Sequence, residues 1–383
     1  MLIPPHGGRL AERLVRGAER DRLIHQARML PAITLDEREL SDVELLAVGA
    51  LSPLEGFLNQ GDYDSVVDRM QLADGTLWTL PVTLSLAQWE ADLWREGQDL
   101  ALKSRDGELV AVLHQPELFP YNRAVEARLI FGTTDPDHPG VKRLLAQGPC
   151  YVGGRVSVVD LPQREEFSRY RLTPAQTRQE FTRRGWSRVV GFQTGSPIHR
   201  AHEYLLRCAL EIADGLMVHP TADLGGDEDL PTHARMRCYE VLIETYLPKD
   251  RTLLVINPAY PRGAGPREEV FQAILRQNYG CSHFVIGKES VGRSAGMPDA
   301  QALFDRLPRE RLAVTPLYFD KAFFCRTCQG MATPKTCAHP ASDRVSLSGT
   351  AVRQMLSDGR VPPPEFTRPE IAEILKEAYA GQA

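Results

Sequence analysis

Between residues 166 and 325 the chain alternates helical and strand patterns, and this alternation restricts the possible folds more than any other feature. Short apolar runs predict strands over Arg188–Phe192, Gly215–His219, Thr252–Ile256 and His283–Gly287. Between them, apolar residues at three- and four-residue spacing predict helices over Thr173–Arg184, Ala201–Ala213, Thr232–Tyr246 and Arg267–Asn278. Thr173-Pro174 supplies an N-cap and an N1 proline for the first of these. Strands joined by helices of this length pair in parallel, because a parallel neighbour needs a crossover, and the helices then cover both faces. Ligands of such sheets lie at the carboxyl ends of the strands. The Gln193–His202 loop, the His219-Pro220 turn and the Gly287–Gly292 loop all fall at that edge.

The flanks read differently. Residues 1 to about 165 are β-rich, with runs Leu77–Leu84 and Leu109–Leu113 split by turn signals Ala73-Asp74-Gly75 and Arg105-Asp106-Gly107. Pro81 marks an edge strand or a break in the first run, and a helical segment precedes it at Asp42–Val48. This part reads as a small barrel-like or α+β domain. Residues 326–383 form a small tail in which Ser348-Gly349-Thr350 caps a helix through Leu356, Pro362-Pro363-Pro364 follows, and a last helix runs from about Pro369 to Tyr379. The expected domains are therefore 1–165, 166–325 and 326–383, in line with a length of 383 residues.

The chemistry concentrates in Gln193-Thr194-Gly195-Ser196-Pro197-Ile198-His199-Arg200-Ala201-His202. Two histidines three apart, where a strand gives way to a helix, share one face of the first turn. The N–H groups and positive dipole end of that helix favour a polyphosphate. The imidazoles beside it can donate to phosphate oxygens and to charge that grows during nucleotidyl transfer. A lone histidine is more often structural; the pair, the strand end and Gln193-Thr194 together favour a phosphate site.

Three other constellations stand out. Cys325-x2-Cys328-x8-Cys337-x-His339 offers three thiolates and an imidazole, a tetrahedral set for a structural Zn²⁺ with no open position; unligated thiols are the plainer alternative. Arg262-x-Ala264-Gly265-Pro266-Arg267 precedes a helix and reads equally as an anion grip or as a solvated turn. Gly287-Lys288-Glu289-Ser290-Val291-Gly292-Arg293 is a glycine-bounded loop after a strand, able to cradle phosphate but on its residues alone an ordinary surface loop.

A net charge of -5 gives no support for a nucleic-acid surface. No apolar run approaches a membrane span, and the start Met1–Gly8 lacks a signal-peptide core, so a cytoplasmic location is expected. The other cysteines, Cys150, Cys208, Cys238 and Cys281, are scattered and read as reduced, buried small side chains.

Taken together, these residues resemble the ATP sulfurylase (sulfate adenylyltransferase) family over nearly the whole chain. Leu2–Gly8, Leu51-Ser52-Pro53-Leu54-Glu55-Gly56-Phe57, His138-Pro139-Gly140-Val141, Tyr151-Val152-Gly153-Gly154, Ala264–Glu268, the cysteine cluster and Ser348-Gly349-Thr350-x-Val352-Arg353 are all similar to ordered family segments. The resemblance implies an α/β fold. It comprises a Rossmann-like nucleotidyltransferase domain, an N-terminal PUA-like β-rich domain and a small C-terminal zinc-containing region, without an appended kinase domain. It further implies ATP with Mg²⁺ as donor, a small oxyanion as acceptor and a homodimer. Sulfate would attack the α-phosphorus directly. Gln193 and Thr194 would contact the anion or the phosphates, and His199 and His202 would stabilise phosphate charge in the transition state.

The departures fall in the loops that touch substrate. The family's Gln-Thr-Arg-Asn-Pro is here Gln193-Thr194-Gly195-Ser196-Pro197, without the Arg expected to hold sulfate. Gly-Arg-Asp-His-Ala-Gly is here Gly287-Lys288-Glu289-Ser290-Val291-Gly292, and Met-Arg-Tyr-Ala-Gly is Pro261-Arg262-Gly263-Ala264-Gly265. Three readings follow. Lys288, Arg293 or Arg262 restores sulfate binding; or Gly195 and Gly263 open room for a bulkier phosphonate, sulfonate or carboxylate; or the chain is a non-catalytic nucleotide-binding paralogue.

Overall fold

The structure is a computed structural model that describes residues 1–93, 95, 97–162, 166–221, 230–287, 292–295, 297–345, 347 and 349–380. Its centre is a five-stranded, all-parallel sheet. In space the strands run Thr315–Tyr318, His283–Ile286, Val189–Thr194, Gly215–Pro220, Thr252–Leu254. The chain starts in the middle at Val189–Thr194, builds outward to Thr252–Leu254, then crosses back to His283–Ile286. The order therefore reverses between Val189–Thr194 and His283–Ile286, and the crevice beyond their carboxyl ends is where such sheets bind ligands.

The helical expectations hold closely. Pro174–Arg183 begins with a capping box in which Thr173 accepts from the Gln176 N–H and Gln176 accepts from the Thr173 N–H. Arg200–Leu210, Thr232–Thr245 and Pro266–Tyr279 follow near their predicted places. The outer strand Thr315–Tyr318 and the helix Ala300–Arg306 were not foreseen. Pro316 and the short apolar run hide that strand, which is tolerated at an edge.

In the N-terminal part, strands Ala32–Thr34, Leu100–Lys103, Leu109–Pro120, Cys150–Val158 and Gly56–Phe57 pair in that order, and Leu84–Leu86 adds to Cys150–Val158. The run Leu77–Leu84 is not a strand as expected. It breaks around Pro81, and only Leu84–Leu86 enters the sheet, because proline cannot donate to a ladder. The helix expected at Asp42–Val48 spans Glu37–Ala47, started earlier by an Asp36–Glu39 capping box.

One hydrophobic core joins the N-terminal sheet to helix Pro266–Tyr279 and one face of the parallel sheet, through Trp78, Phe271, Ile274 and Phe284 among others. A second core fills the opposite face, where Leu206, Met236 and Leu242 meet Val352, Leu356, Ile371 and Leu375 of the tail. The tail therefore packs on the side of the histidine-bearing helix. Its small sheet, Gly330–Ala332, Phe323–Cys325, Arg344–Val345, begins at Phe323, and helices Gly349–Ser357 and Pro369–Ala380 follow. Ser348 lies outside the described residues. Cys238 and Cys281 are buried as expected, but Cys150 and Cys208 are only half-buried. No described helix is long and apolar enough to cross a membrane.

Candidate functional site

The strand Val189–Thr194 ends at the reversal point, and the chain turns through Gly195–Ile198 into helix Arg200–Leu210. The turn is closed by Thr194, whose Oγ1 donates to the Ser196 carbonyl (2.7 Å) and accepts from the Ser196 N–H (3.2 Å). Two side chains of helix Thr232–Thr245 pin it from outside: Arg235 Nη1 donates to the Gly195 carbonyl (3.0 Å) and Tyr239 Oη to the Ser196 carbonyl (2.9 Å). Arg235 also reaches the Thr221 carbonyl at the end of the neighbouring strand (3.3 Å). Arg235 and Tyr239 carry no recognisable spacing, so nothing in the local pattern signals their role.

His199 is the N-cap residue of the helix, with extended backbone, and His202 stands at N3. Their rings stack with centroids 4.0 Å apart and planes 21° from parallel. Phe192 and Phe366 flank the pair at 5.7 Å and 4.8 Å. Burial drives the His199 imidazole down to about 3, with His202 and then Lys321 adding to it. Burial alone takes His202 down to about 4. Both are neutral at physiological pH, and both Nδ1 atoms are covered and without a partner among the described residues. Covered polar atoms without a partner are costly, and phosphate oxygens can satisfy whichever ring nitrogen carries hydrogen.

The helix N-terminus is less open than expected: the Arg200 N–H donates to the Phe366 carbonyl (2.9 Å), and Arg200 Nη1 to the Pro364 carbonyl (2.9 Å). The tail is fastened further by Arg368, which grips the buried Glu203 with two hydrogen bonds of 2.9 and 2.7 Å. His219, in the edge turn, is fully buried against Tyr279 (4.6 Å), its Nε2 at 3.2 Å from the Ile256 carbonyl. It is held neutral by burial.

The Arg262–Arg267 segment is not the anion grip that its residues suggest. Arg262 is buried and gives its guanidinium to Asp42 and the Pro81 carbonyl (3.1 Å). Arg267 donates to the Val66 and Val67 carbonyls, both at 3.1 Å. The backbone N–H groups of Arg262 and Ala264 are taken by the Glu268 carboxylate at 2.8 and 3.0 Å. An anion grip would need free donors facing solvent; here the N-terminal domain and Glu268 take most of them, and Arg262 Nε is buried.

Gly287 is exposed, whereas Lys288, Glu289, Ser290 and Val291 lie outside the described residues. The far end of that loop rests on the Arg262–Gly265 turn: a Cβ on Gly292 would lie 1.9 Å from the Gly263 carbonyl oxygen, and one on Gly265 3.2 Å from Arg293 Cα. His138 Nε2 bonds the Gly292 carbonyl at 3.0 Å, and Arg293 is exposed.

In the tail, Cys325, Cys328, Cys337 and His339 converge, their ligand atoms all within 4.8 Å of one another. His339 Nδ1 lies 3.5, 3.1 and 3.7 Å from the three sulfurs, and Cys328 and Cys337 Sγ are 3.9 Å apart. Tetrahedral Zn–S bonds of about 2.3 Å put sulfurs ~3.8 Å apart, so these residues fit a metal ion of that kind.

Comparison with known proteins gives a consistent picture. The ATP-sulfurylase family model matches residues 168–378, and a PUA-like domain model matches residues 3–161. A sulfate adenylyltransferase of Symbiobacterium thermophilum is 54% identical, covering 100% of this chain and 97% of its own. One from Halothermothrix orenii is 47% identical, covering 98% of each. Among solved structures, a hexameric APS kinase from Thiobacillus denitrificans aligns with a TM-score of 0.79 and 26% identity, over 98% of this chain and 68% of that one.

Proposed function

The chain belongs to the ATP-sulfurylase family, and from that premise we propose that it is an adenylyltransferase that moves AMP from ATP to sulfate, giving adenosine 5′-phosphosulfate and pyrophosphate. The observation that carries this reading is the stacked pair His199 and His202 at the point where the strand order reverses. Relatives named sulfate adenylyltransferase match along the whole chain, which favours sulfate over a bulkier oxyanion and over a paralogue without catalysis.

A sulfate oxygen attacks the α-phosphorus, the bond from that phosphorus to the bridging oxygen breaks, and pyrophosphate leaves with the electron pair. Little covalent work falls to the protein, so positioning and charge stabilisation dominate. Gln193 and Thr194 border the acceptor and phosphates, with Gly195, Ser196, Gly287 and Arg293 lining the approaches. His199 and His202, neutral before substrate binds, donate to the α- and β-phosphate oxygens as charge builds there. Mg²⁺ carried on the ATP polyphosphate supplies charge neutralisation. The Cys/His cluster is the only group of three or more metal-ligating side chains among the described residues. That supports Mg²⁺ entering with the nucleotide and a structural Zn²⁺ at Cys325, Cys328, Cys337 and His339, whose soft donors suit it.

The reading divides the chain into domains 1–165, 166–325 and 326–383, in a cytoplasmic homodimer. Free cysteines among the described residues suit a reducing compartment. Mass-spectrometric detection of adenosine 5′-phosphosulfate from ATP and sulfate tests the activity; its absence with ATP bound would remove sulfate as the acceptor.

A further inference from the structure

Arg276, on helix Pro266–Tyr279, is fully buried, yet no described carboxylate lies within ion-pair distance of it. Its Nη1 donates to the backbone carbonyl (3.3 Å) and side-chain oxygen of Gln272. Its Nη2 donates to Gln193 Oε1 at 3.1 Å, its Nε has no partner among the described residues, and the guanidinium lies over the Phe284 ring at 5.2 Å. Burial lowers it only to about 10, so it stays charged at pH 7. Only the longer-range charge of Glu269 on the same helix offsets it, and a buried cation without a direct ion pair is expensive.

The fold makes room for it. A Cβ on Gly191 would lie 2.7 Å from Arg276 Cγ, so the arginine stem crosses the central strand where there is no side chain. The chain of polar groups continues through Gln272, whose Oε1 also faces Asn257 Nδ2 at 3.4 Å. This buried line ends at Gln193, one residue before the loop in which Gly195 stands where the family has arginine. An amide that accepts from Arg276 through Oε1 keeps Nε2, a donor, for a ligand.

We propose that Arg276 is the positioning residue of the acceptor pocket: it fixes Gln193 with its N–H groups turned to a tetrahedral oxyanion and sets a permanent positive charge behind the loop that lacks the family arginine. This rests on the adenylyltransferase reading. A fixed charge in a low-dielectric wall acts on an anion several ångströms away far more than one in water.

The test is initial-rate kinetics with sulfate and with MgATP, together with melting temperature, for Arg276→Met and Arg276→Lys. Arg276→Met removes a buried charge but also leaves the Gln272 and Gln193 oxygens without their donor, two effects of opposite sign, so the melting temperature stays near wild type while KM for sulfate rises about 10-fold or more and KM for MgATP stays within about twofold. Arg276→Lys, which keeps charge but not the fork, recovers part of the sulfate affinity. Gln193→Ala added to Arg276→Met costs little more, since the two act as one unit. An unchanged sulfate KM in Arg276→Met overturns the proposal, as does a rise in both KM values with a fallen melting temperature. Should Arg276→Met not fold, Arg276→Lys decides: a shift confined to sulfate supports the role, and wild-type kinetics overturn it. A wild-type chain that turns over no sulfate defeats the adenylyltransferase reading and this inference with it, before any variant is compared.

Discussion

His199 and His202 stack at 4.0 Å, one capping the helix and the other a turn inside it, with their Nδ1 atoms covered and unpartnered. Two neutral imidazoles stacked this closely, their Nδ1 atoms without a partner among the described residues, are arranged for a ligand rich in acceptor oxygens.

His199→Ala is expected to lower kcat by ~10²–10³, the usual cost of one preorganised donor to developing charge. The side chain makes no capping hydrogen bond, so the circular dichroism spectrum and melting temperature stay near wild type. Wild-type turnover in this variant would contradict the assigned role.

The pH dependence follows from the depressed imidazoles. With His199 at about 3 and His202 at about 4 in the free protein, kcat/KM has no histidine inflection near 6.5, and any acid limb from this pair lies below about pH 5. Stability carries the same sign. The unfolded chain binds more protons than the folded one between about pH 3 and 6.5, so this contribution is complete above 6.5 and is lost as pH falls. Replacing both histidines by Asn flattens that part of a denaturation-versus-pH curve.

Arg262→Met separates an interdomain role from an anion-binding one. Asp42 is fully buried and bound by Arg262, with Arg38 Nη1 at 3.6 Å. Leaving it half-compensated is expected to cost about 3–5 kcal/mol in urea unfolding. KM for sulfate in the folded fraction stays unchanged; a selective rise would restore Arg262 to the site.

The framework of the molecule was legible in the sequence because it rests on periodicity. Helix Pro174–Arg183 with its Thr173 cap, the parallel strands, and the histidines at a strand-to-helix junction all follow from local pattern. Long-range destinations of charged side chains leave no such trace. Arg262 and Arg267 look like an anion grip beside a glycine turn, and only the packing of the N-terminal domain reveals that Asp42, Pro81, Val66 and Val67 claim them. For the same reason Arg235 and Arg276 were missed: a buried arginine inside an apolar helix face has no period of its own.

Metal removal tests the tail. Chelation, or Cys328→Ser, is expected to abolish metal binding and lower the melting temperature by roughly 5 °C or more, because the small sheet Gly330–Ala332, Phe323–Cys325, Arg344–Val345 has little core beyond Phe323, Cys325 and Ala332. Elemental analysis of the purified chain should return about one zinc per chain; a metal-free protein of unchanged stability would contradict the assignment.

Gly195→Arg with Ser196→Asn restores the family loop. The turn is held through the backbone carbonyls of both residues, so new side chains need not disturb it, and KM for sulfate is expected to fall several-fold. No change would mean that the loop following Gly287 limits sulfate binding as well.

The central claim is that this site, lacking the family arginine, still uses sulfate. Pyrophosphate release from Mg·ATP, compared across sulfate, selenate, molybdate, phosphate, simple phosphonates and sulfonates, tests it most directly. The account predicts that sulfate supports turnover and that phosphonates and larger sulfonates do not. Silence with sulfate alongside turnover with a bulkier anion would contradict it.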